Sequence, residues 1–118
     1  MTQISILFEK AIEKLEAQGV RSYDAEKDMC KYRDGKGNCC LFGHMISDEH
    51  YHKDLEATWI TNLRVLYAIE QTTGVDLTDY FTKSELLRLQ QVHDTAWKEG
   101  DDFKKHIPYD LQLKIWGE

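Results

Sequence analysis

Cys30, Cys40, His44 and His93 are side chains of the kinds that hold zinc. A hairpin joining the two cysteines would bring them together, with His44 just beyond and His93 arriving from a later helix. The spacing is not that of a structural zinc site. There is no Cys-x-x-Cys and no His-x-x-x-His. Cys39 and Cys40 point to opposite faces of a strand, so one of them at most would serve as a ligand. Free cysteine is commonly a small buried hydrophobe. Cys30, Cys40, His44 and His93 are therefore expected to form a structural polar cluster, with no metal and no cofactor.

The same residue types would serve nucleophilic catalysis, since a Cys-His pair needs only spatial adjacency. A cysteine in a hairpin strand is poorly placed for it, because helix N-termini lower a thiol pKa more effectively. No catalytic residue is assigned. His93-Asp94 is similar to the metal-binding pair of phosphohydrolases, but that chemistry needs further ligands on separate helices and the chain has no second such pair. His93 shares a face with Leu86, Leu89 and Trp97, which predicts a buried histidine held by a carbonyl or carboxylate. Gly35-Lys36-Gly37 lacks the frame of a phosphate loop and reads as a turn. Arg33 and Lys36 beside Tyr32 do not make a nucleic-acid patch.

The elements that position these residues are legible from pattern. Ile4, Leu7, Phe8, Ala11, Ile12 and Leu15 recur at helical steps, and Gly19 stands where a C-terminal cap belongs. Met29–Tyr32 and Cys39–Phe42 read as two strands around the turn residues Asp34-Gly35-Lys36-Gly37-Asn38. Ser47 is expected to cap a short helical turn through Tyr51, followed by a polar loop over His52–Glu56. Leu63, Leu66, Tyr67 and Ile69 mark a second helix ending near Gly74. Thr82-Lys83-Ser84-Glu85 is a capping box opening a third helix that runs to Gly100. Phe103 and Ile107 look helical. The stretch 108–116 is open between two readings: Leu111, Leu113 and Ile115 alternate like a strand, whereas Pro108 suits the first turn of a helix. The expected fold is α+β, predominantly helical. Three main helices pack with a small antiparallel sheet containing a Met29–Phe42 hairpin, and residues 1–118 form a single compact domain.

The motifs resemble those of small bacteriophage-encoded proteins without an assigned activity. The resemblance rests on Cys30, Tyr32 and Arg33, on Cys40, Gly43, His44, Ile46, Asp48, Glu49 and Tyr51, and on Leu89, Gln90, His93 and Asp94. Those proteins often carry Pro at the position of Ser47 and vary at that of His44. The resemblance implies a phage source and no particular chemistry.

Composition bounds what the chain does. Fifteen basic and twenty-one acidic residues give a net charge of −6. That charge disfavours binding to nucleic acid and is modest for a DNA mimic. No window has the length and apolarity of a membrane span, and the N-terminus lacks the basic and apolar regions of a signal peptide. Three cysteines, two adjacent, suit a reducing compartment. The leading expectation is a non-enzymatic phage accessory protein in the host bacterial cytoplasm. It would bind a host protein of defence, transcription or metabolism, with no nucleic-acid or membrane partner, and its oligomeric state is open. Asp48, Glu49, Tyr51 and Trp59 are the candidate contacts, because acidic rims around aromatic anchors are a common interface design. Two alternatives stand beside it. One is a small metal- or thiol-dependent enzyme acting on a nucleotide or signal molecule. The other is a virion structural component.

Overall fold

A computed structural model describes residues 2–24, 29–98 and 100–117. Helix α1 spans Gln3–Gln18. Thr2 caps it, its hydroxyl accepting from the Ser5 N–H at 3.2 Å. The stripe Ile4, Phe8, Ala11, Ile12 and Leu15 is buried, and Gly19 ends the helix in the left-handed conformation at φ 76°. Helix α2 spans Leu63–Thr73, capped by the Asn62 side chain and buried through Val65, Leu66, Ala68 and Ile69. Helix α3 spans Lys83–Gln91. Its capping box forms in both directions: Glu85 N–H to Thr82 Oγ1 at 3.2 Å, and Thr82 N–H to Glu85 Oε1 at 2.8 Å.

The α+β expectation is overturned. Among the described residues the fold is mostly helical, with no sheet that could form a layer. Their β-structure is a two-residue antiparallel pair, β1 (Tyr23–Asp24) with β2 (Met29–Cys30), and one isolated bridge between Arg33 and Cys39. The Met29–Phe42 hairpin pairs only near its turn, where the Asp34 and Cys40 N–H groups reach the carbonyls of Asn38 and Tyr32, because three other donors are taken by side chains. Glu56 accepts the Tyr32 and Arg33 N–H groups at 2.9 and 3.0 Å, and Gln18 accepts that of Cys39 at 3.0 Å. After Cys40 the chain bends into a 3-10 turn at Gly43–Met45 instead of continuing extended.

Two further boundaries differ, and one open reading is decided. His52–Glu56 is not a loop, since Lys53–Ala57 forms a 3-10 helix. The third helix does not reach Gly100. It widens into a π-helical turn at Val92–Ala96 that closes when the Trp97 N–H bonds the Val92 carbonyl at 2.8 Å. Residues Tyr109–Trp116 form a fourth helix, α4. A strand would put Leu111, Leu113 and Ile115 on one face. The helix buries Leu111 and Ile115 and leaves Leu113 at 36% exposure. Ion pairs Arg88–Asp110 and Lys114–Glu85 tie α4 to α3.

One continuous core joins these parts. Phe8 meets Phe81 at 5.7 Å and Trp116 at 6.5 Å between ring centroids. Trp97 packs edge-on against Phe103, and Glu16 holds the Phe103 N–H at 2.7 Å, fixing the 3-10 turn Phe103–His106 against α1. Among the described residues no helix is long and apolar enough to cross a membrane.

Candidate functional site

The motif segments meet at two half-buried hydrogen-bond hubs, and neither hub residue belongs to a motif. The first is Gln18, in the last turn of α1. Its amide NH₂ donates to the carbonyls of Val20 and Cys39, both at 2.7 Å. Its Oε1 accepts from the Cys39 N–H at 3.0 Å and lies 2.8 Å from His44 Nε2. Because that oxygen can only accept, His44 must be the Nε2–H tautomer. Burial, with Lys14, His93 and Arg33 adding positive charge nearby, lowers the His44 pKa to about 4. His44 is a neutral donor at physiological pH.

The second hub is Glu56. Besides the Tyr32 and Arg33 N–H groups, its carboxylate accepts the Tyr51 hydroxyl at 2.5 Å. Burial and that bond raise the Tyr51 pKa. The Arg33 guanidinium lies 4.3 Å over the Tyr51 ring, donates to the Ile46 carbonyl at 2.9 Å and pairs with Asp48 at 2.7 Å. Asp48 and Tyr51 thus close the turn at 47–51 onto Arg33. Ser47 does not cap that turn with its hydroxyl, which accepts from Thr72 instead.

Cys40 is buried, and its Sγ accepts the Gly43 N–H at 3.3 Å. Burial pushes its thiol pKa well up, and partial burial raises that of Cys39. The backbone of Cys30 lies in β2, but its side chain falls outside the described residues. His93 is fully buried, stacked on Trp97 at 6.0 Å, with Nδ1 3.0 Å from Asp94 Oδ1. Its Nε2 has no partner among the described residues. Gln90, from the same motif as His93, bonds the buried Tyr32 hydroxyl, which also donates to the Thr58 carbonyl at 3.0 Å. Among the described residues no three His, Cys, Asp or Glu side chains converge as a metal site would require.

Of the candidate contacts, Tyr51 packs on the core, Asp48 and Glu49 are exposed, and Trp59 is 68% exposed. Two neighbours in sequence join Trp59 at the surface: Leu63 at 80% and Tyr67 at 62%. In the sequence both read as marks of a helix. Their four-residue spacing signals an apolar face, and nothing in the sequence says whether that face is covered. Gln18 and Glu56 carried no signal, since a polar residue at a helix end or in a polar stretch ordinarily faces water. Comparison with protein-family models, curated proteins and solved structures finds no match.

Proposed function

We propose that this chain is a non-enzymatic binding protein, a bacteriophage accessory protein that captures a host protein through a surface anchored on Trp59. The exposure of Trp59 carries the reading. A tryptophan left in water on a well-braced scaffold is poor for stability and well suited to binding, because tryptophan dominates interface hot spots. The bracing is local. Thr58 N–H bonds the Leu55 carbonyl at 3.2 Å, Asn62 N–H bonds the Trp59 carbonyl at 2.9 Å, and Ile60 between them is fully buried. The phage setting rests on the motif resemblance alone.

The thiol-enzyme alternative draws no support from the site. Cys40 is engaged as a hydrogen-bond acceptor, burial raises the pKa of both described thiols, and His44 donates to Gln18. Affinity capture from bacterial lysate, with melting measured on each variant, tests the proposal. Trp59→Ala is expected to lose the captured host protein at unchanged melting temperature, and Cys39→Ser to retain it. Capture that survives Trp59→Ala and fails with Cys39→Ser would overturn the reading and restore the thiol chemistry.

A further inference from the structure

We draw no further inference here: the strongest candidate, the open apolar groove along α2 bordered by the exposed Leu63 and Tyr67, carries nothing because no feature of the described residues shows what covers it.

Discussion

Gly43 lies directly against the carbonyl of Tyr32. A Cβ built on Gly43 would overlap the Tyr32 oxygen, sit 2.9 Å from its carbon and 3.2 Å from Cys39 Cβ. That carbonyl is simultaneously engaged by the Cys40 N–H at 3.2 Å, so it cannot swing aside. The glycine of the Cys-x-x-Gly-His segment is a close-approach residue. Gly43→Ala is expected to cost about 3 kcal/mol or more, at the upper end of overpacking effects because the obstacle is backbone. Urea denaturation measures it, and a loss below about 1 kcal/mol would contradict the geometry.

Gln18 makes four hydrogen bonds across the molecule. Gln18→Ala strands the Cys39 N–H, the His44 Nε2–H and two carbonyls. The expected loss is about 2–3 kcal/mol, the scale of leaving buried polar groups unpaired. An exposed-helix substitution such as Glu13→Ala should cost a few tenths. Equal effects at the two positions would remove Gln18 from its role as hub.

His44 sets a pH dependence whose sign follows from its depressed pKa. The unfolded chain takes up a proton near pH 6.5, while the folded chain resists until about 4. The unfolded state therefore binds more protons in between, and stability falls as pH drops from about 6.5 towards 4. Solvent screening of this half-buried ring limits the loss to about 1–2 kcal/mol. Titration of the imidazole by NMR should give a value near 4. His44→Gln should flatten the stability profile between pH 5 and 6.5, above the range where carboxylates dominate.

His93 separates packing from hydrogen bonding. His93→Ala opens a cavity beside Trp97 and leaves Asp94 without its ring partner, for an expected loss of about 1–3 kcal/mol. His93→Phe keeps the stack and removes the unpartnered Nε2, so it should be the milder change. Thermal melting of both variants decides the order. A reversed order would mean that Nε2 has a partner worth more than the stack.

The sequence makes Tyr51 a candidate contact, but its hydroxyl and ring are spent on Glu56 and Arg33. Tyr51→Ala should lower the melting temperature. Trp59→Ala should not, since the Trp59 ring faces water. Melting both variants side by side distinguishes a brace from an anchor.

Sequence alone determined what depends on neighbours within a turn or two. The α1 stripe with its Gly19 cap, the extent of α2, and the Thr82–Glu85 box were readable because periodicity and capping are local. The tertiary structure decided everything that rests on acceptors far away in the chain. Whether Tyr32, Arg33 and Cys39 would pair as a ladder depended on Glu56 and Gln18, more than twenty residues distant, offering oxygens to the same N–H groups. The pattern at 109–116 fits a strand and a helix equally, and only the fit of Leu111 and Ile115 into the core chose the helix. Leu66 and Leu63 look alike in a sequence; one packs in the core and the other meets water, because burial belongs to the assembled surface and not to the residue.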